Sequence, residues 1–123
     1  MDTSPPRLQD LDALRRRLAD FAAARDWERF HSPKNLAMAL IAEAAELVEH
    51  FQWLTEEQSQ ELEPERRQQV RLELADILIY LVRIADRLQV DLLAAAADKI
   101  ALNERRYPVE RVRGSARRAE EYD

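Results

Sequence analysis

The chain contains no cysteine, which excludes disulfides, thiolate metal sites and a cysteine nucleophile. It has only two histidines, too few to favour a zinc hydrolase centre. No apolar run is long enough to span a bilayer, and the first residues, MDTSPPRLQD, carry no hydrophobic signal region. A cytoplasmic protein is therefore expected. The formal charge of −5 argues against broad, nonspecific nucleic-acid binding. A small anionic substrate stays open, because local cations or a bound metal override net charge. Glycine occurs once in 123 residues. In its place stand alanine, leucine, glutamate and arginine, all strong helix formers.

The pattern along the chain is helical throughout. Leu8, Leu11, Leu14, Leu18 and Phe21 recur every three or four positions, predicting a helix to about Ala24. Arg25 to Lys34 breaks that period. Ser32 followed by Pro33 then offers an N-cap and a first-turn proline for a second helix reaching about Trp53. The segment Thr55 to Glu63 is polar, and Thr55 is placed to cap one short turn. Pro64 opens a third long helix to about Leu88, and Asp91 caps a fourth that ends near Arg106. The expectation is an all-α, four-helix-bundle-like domain over residues 1–108, with a charged, flexible tail at 109–123.

The second and third long helices carry the chemistry. NLAMALIAEAAELVEHF and LADILIYLV are apolar on most sides, which normally means burial. Yet Glu43 and Glu46 lie in the first run, and Glu73 and Asp76 lie in or beside the second. Ionised carboxylates are costly in apolar surroundings unless paired, hydrogen-bonded or bound to metal. Each pair has i,i+3 spacing, so its members share one helix face. Facing each other, the pairs would form a four-carboxylate site for a hard cation such as Mg²⁺. A single such pair is usually a solvated stripe; the apolar setting of both is what raises their interest. Tyr80 shares the face of Glu73 and Asp76. Lys99, Asn103 and Arg106 form a stripe on the last helix that suits phosphate oxygens, or simply faces solvent. Trp27, Trp53 and His31 have plain packing or capping explanations.

E-x-x-E, 26 intervening residues and E-x-x-D resemble the signature of the all-α nucleoside triphosphate pyrophosphohydrolases, the MazG-like superfamily. Within it the chain is most similar to the deoxycytidine triphosphatase group, through RDWERFHSPKNLAMALIAEAAELVEHFQW, ELADILIYL and DKIALNERRYP. The resemblance spans Leu11 to Pro108. It implies hydrolysis of a nucleoside triphosphate, dCTP or a modified dCTP, to monophosphate and pyrophosphate. By the same resemblance Glu43, Glu46, Glu73 and Asp76 hold Mg²⁺, with Mn²⁺ as an alternative ion, and Glu46 is the candidate to orient the attacking water. Lys99 and Arg106 would meet phosphates, and Asn103 and Tyr80 the sugar or a phosphate oxygen. Trp27 and Trp53 resemble base walls, and His31 falls in the group's F-H-x-P segment. The family's habit implies a homodimer or homotetramer. One departure stands out: Leu18 occupies the first-helix position where the vertebrate enzymes have a histidine, so the base preference is open. A di-iron carboxylate bundle would need Glu-x-x-His pairs, and no histidine follows these acids at that spacing. A non-catalytic helical adaptor would leave the acids unexplained unless they pair with arginines at an interface.

Overall fold

The computed structural model describes residues 4, 5 and 7–115, and among them the secondary structure is helical with no strand. Helix α1 spans Leu11–Ala24, α2 Pro33–Phe51, α3 Glu56–Gln60, α4 Pro64–Arg87, α5 Leu92–Arg106 and α6 Val109–Val112, with a 3₁₀ turn at Glu28–Phe30. Side-chain caps set most of these starts. Asp10 accepts from the Ala13 amide at 2.7 Å, Ser32 from Asn35 at 3.1 Å and Asp91 from Ala94 at 3.0 Å. Thr55 and Gln58 exchange bonds in a full capping box, which explains how five residues hold a helix of their own. The first helix starts three residues later than Leu8, since Asp10 rather than the leucine period decides the boundary.

The chain forms two compact units, Met1–Gln89 and Val90–Asp123. In the first, α2 and α1 both pack on α4. Its buried apolar side chains are Leu14 and Ala22 from α1, Leu36 from α2, and Val70, Val82 and Ala85 from α4. An ion pair between Arg15 and Asp86 at 3.4 Å adds a polar link from α1 to α4. The second unit comprises α5 and α6. The stretch expected as a tail thus begins with one helical turn, and residues 116–123 of that tail lie outside the described residues.

The expected burial of α2 is not achieved within the chain. Leu36 is 2% exposed, but Ile41 is 67% exposed, and Met38 and Val48 are exposed as well. On α4, Leu72, Leu74, Leu78 and Leu81 are also open. One neighbour covers one stripe of a helix, so a helix apolar on several sides keeps its remaining faces uncovered.

Candidate functional site

The contact of α2 with α4 brings three of the four acids together. One carboxylate oxygen from each of Glu43, Glu73 and Asp76 lies within 4.8 Å of the others. The Oε2 atoms of Glu43 and Glu73 are buried without a hydrogen-bond partner. Glu43 is pushed up from 4.5 to about 7, first by its hydrogen bond with Glu73, then by burial and by the charges of Glu46, Asp76 and Glu73. Protonation of Glu43 relieves the repulsion among these crowded carboxylates, the same relief that a bound cation would give. An all-oxygen donor set with orphaned buried oxygens fits a hard divalent cation. Glu46 is exposed and lies outside the trio, although it is near enough for its charge to act on Glu43.

The trio continues into a pocket along one face of α4. Glu73, Asp76, Tyr80 and Arg83 follow each other at three, four and three residues, the spacing of a single helical stripe. Asp76, Tyr80 and Arg83 line a cavity of about 450 Å³, whose other wall includes Leu18 and Phe21 of α1, with Trp27 and His31 beyond it. Local backbone chemistry explains how Trp27 reaches this wall. Helix α1 ends with Asp26 in the left-handed region at φ 53°. The Trp27 amide donates back to the Ala22 carbonyl at 2.9 Å and the Asp26 amide to Ala23 at 3.1 Å. This pair of reversed bonds is a Schellman closure, which normally sets an apolar residue against the last turn. Here the Trp27 ring meets Phe21 edge-on, with centroids 5.7 Å apart. His31 lies 6.3 Å from Trp27 in a similar geometry.

Arg83 closes the inner end of the stripe. It is only 4% exposed. Its Nε donates to Nδ1 of His31 at 3.3 Å, and Nη1 donates to Asp86 at 3.3 Å. A guanidinium has no acceptor, so Nδ1 must be the bare nitrogen and the His31 proton sits on Nε2. Burial, then the charges of Arg83 and Arg87, hold His31 below its usual range; the ring is neutral near pH 7.

The other predicted residues fall elsewhere. Trp53 follows the end of α2 and is 86% exposed, outside the pocket lining. Lys99, Asn103 and Arg106 lie on α5 in the second unit, Asn103 half-buried and the two cations exposed. Sequence reasoning missed Arg83 altogether and took Phe21 as part of a packing period, while Leu18 was singled out through the family resemblance and does line the pocket. Arg83 was findable as the next member of the Glu73, Asp76 and Tyr80 stripe.

A profile of the MazG-like family matches residues 39–121. The chain belongs to the MazG-like family. That match contains both acidic pairs, Tyr80 and Arg83, whereas Leu18, Trp27 and His31 precede it. This MazG-like chain is 50% identical over 116 residues to dCTP pyrophosphatase 1 of Bos taurus, covering 93% of its own length and 67% of the relative's. It is 47% identical to dCTP pyrophosphatase 1 of Homo sapiens over 115 residues, covering 92% of itself and 66% of that protein. The chain thus spans about two thirds of the curated relatives it matches. The solved structure of a pyrophosphatase from Archaeoglobus fulgidus is similar with a TM-score of 0.77 and 34% identity, covering 86% of this chain and 99% of that one.

Proposed function

We propose that this chain is a Mg²⁺-dependent nucleoside triphosphate pyrophosphohydrolase acting on dCTP or a modified dCTP. The observation that carries the reading is the junction at Asp76. This residue belongs both to the carboxylate trio and to the aromatic-walled pocket. An acidic end suited to a metal and an aromatic-walled end suited to a base therefore share one helix face. Seven residues separate Asp76 from Arg83, roughly 10 Å along α4 at the helical rise, a span suited to a nucleotide with its phosphates at one end. The similarity to enzymes named dCTP pyrophosphatase 1 supports the substrate class.

In this reading Glu43, Glu73 and Asp76 would hold the Mg²⁺, or Mn²⁺ in its place. When bound, the ion would supply charge neutralisation for the phosphates and for the leaving pyrophosphate. Glu46, beside the trio but outside it, orients the attacking water and takes its proton as the oxygen bonds to the α-phosphorus. The bond from that phosphorus to the bridging oxygen breaks, and the electron pair leaves with pyrophosphate. Trp27 gives the base an aromatic surface and Tyr80 contacts the sugar or a phosphate oxygen. Phosphate contacts by Lys99, Asn103 and Arg106 and a base contact by Trp53 are what the family resemblance implies for those positions. Leu18 presents an alkyl surface to the pocket and leaves base identity to other groups.

The exposed apolar faces of α2 and α4 support a homodimer or homotetramer, since surface of that extent is usually covered in solution. Nucleoside triphosphates are made and used inside cells, which supports a cytoplasmic site of action. Among the described residues no helix is long and apolar enough to cross a membrane, and no nucleic-acid partner is needed by this chemistry. The test is a panel of common NTPs and dNTPs, with 5-methyl-dCTP included, incubated with Mg²⁺ in water labelled with heavy oxygen. Pyrophosphate release with label in the monophosphate is expected. Orthophosphate release, or no hydrolysis, would refute the reading.

A further inference from the structure

Arg83 is a buried cation in the pocket wall, and its bonding is incomplete. Its guanidinium carries five N–H groups. Nε and Nη2 both approach the single lone pair on Nδ1 of His31, and Nη1 approaches Asp86. One N–H on Nη1 and one on Nη2 remain uncommitted. Asp86 is also claimed by Arg15 at 3.4 Å, so a single carboxylate serves two cations. Nearby polar groups do not supply the missing acceptors. His31 offers an Nε2–H, and the Trp27 indole and Arg17 only donate; Asp76 is an acceptor at the acidic end of the pocket, seven residues or roughly 10 Å along α4 from Arg83. Among the described residues lining the pocket, only the Tyr80 hydroxyl can both donate and accept. The wall between His31 and Arg83 is a surface of donors.

We propose that Arg83, together with His31, is a specificity-determining pair that selects a base edge carrying adjacent acceptors and rejects one carrying an N–H. The inference rests on the pyrophosphohydrolase reading and adds a base-reading role for residues of this chain. Cytosine presents N3 and O2 side by side, both acceptors, which match a donating fork. Uracil and thymine carry a proton on N3, so a donor would face donors and stay unpaired in a half-enclosed pocket. Guanine also has an acceptor pair, at N7 and O6; the wall therefore separates cytosine from uracil and thymine, not from guanine. The discrimination needs no donor at Leu18. The neutral state of His31 is consistent, because the Arg83 and Arg87 charges already disfavour a second proton on the ring.

The experiment compares kcat/KM for dCTP and dUTP in the parent enzyme, Arg83→Gln and Arg83→Lys, with competition by dCMP and dUMP measured alongside. A site built to pair one edge rejects the mismatched edge by on the order of a hundredfold or more. In Arg83→Gln, whose amide both donates and accepts, the dCTP-to-dUTP ratio should fall by about tenfold or more. Arg83→Lys still only donates but has no fork, so it should keep the preference while raising KM for dCTP. A purely structural Arg83 would lower both substrates alike, and an unchanged ratio in a folded Arg83→Gln variant overturns the proposal. Should that variant fail to melt cooperatively, Arg83→Lys and the parent competition decide: loss of preference in the first, or equal inhibition by dCMP and dUMP in the second, overturns it. Absence of pyrophosphate release from every nucleotide would instead refute the underlying activity, whatever the monophosphate competition shows.

Discussion

Replacing Glu43 by glutamine should stabilise the metal-free protein, an unusual direction for a change at a functional site. Glu43, Glu73 and Asp76 hold oxygens within 4.8 Å of one another. At that separation two full charges repel by about 1 kcal/mol in water and about 3 kcal/mol at an effective dielectric of about 20. The half-buried site lies between these limits, so removing one charge should raise stability by about 1–3 kcal/mol. At roughly 4 °C per kcal/mol for a domain of this size, the melting temperature should rise by roughly 4–12 °C. The sign depends on pH. Glu43 titrates near 7 in the fold against 4.5 for an ordinary glutamate, so between those values the folded chain holds a proton that the unfolded chain has released. The contribution of Glu43 to metal-free stability is therefore fully present below 4.5 and is lost as pH rises through about 7. Thermal melts in chelator should show the advantage of Glu43→Gln at about pH 8, shrinking as Glu43 of the parent takes up its proton. Added Mg²⁺ should raise the parent's melting temperature and the variant's by less. Equal melting of parent and variant at about pH 8 in chelator, or an advantage that persists at low pH, would refute the electrostatic argument.

Three further outcomes follow from the same structure. Asp76→Asn and Glu46→Gln should each lower kcat by orders of magnitude while the fold melts normally, checked by pyrophosphate release and circular dichroism; near-parental turnover in both would remove these acids from the mechanism. Sedimentation equilibrium at low micromolar concentration should give a dimer or tetramer, whereas a folded, active monomer would contradict the expectation that the exposed faces of α2 and α4 are covered. Leu36→Ala, at the best-buried leucine of α2, should cost about 2–5 kcal/mol in urea unfolding, and a loss below about 0.5 kcal/mol would mean that α2 is not anchored there.

The amino-acid sequence alone was sufficient for the four long helices, because their boundaries are local events, but it read the turn at Val109–Val112 as tail. Ser32, Thr55 and Asp91 satisfy backbone donors three residues away, and Pro33 and Pro64 start helices where an amide would have no partner. Spacing likewise assigned Glu43 with Glu46, and Glu73 with Asp76, to common faces, and the motif spacing carried the family resemblance. What spacing cannot supply is the rotation of one helix against another. Only the packing of α2 on α4 decided that Glu43 joins Glu73 and Asp76 while Glu46 stands outside. The same holds for Arg83, whose bond to His31 joins positions 52 residues apart. Hydropathy marked α2 as a surface needing cover but could not say what covers it, and α1, α2 and α4 leave Ile41 and Met38 open. Caps and periodicity act within a few residues along the chain. A carboxylate trio and a donor wall exist only once separate helices have chosen which faces to share.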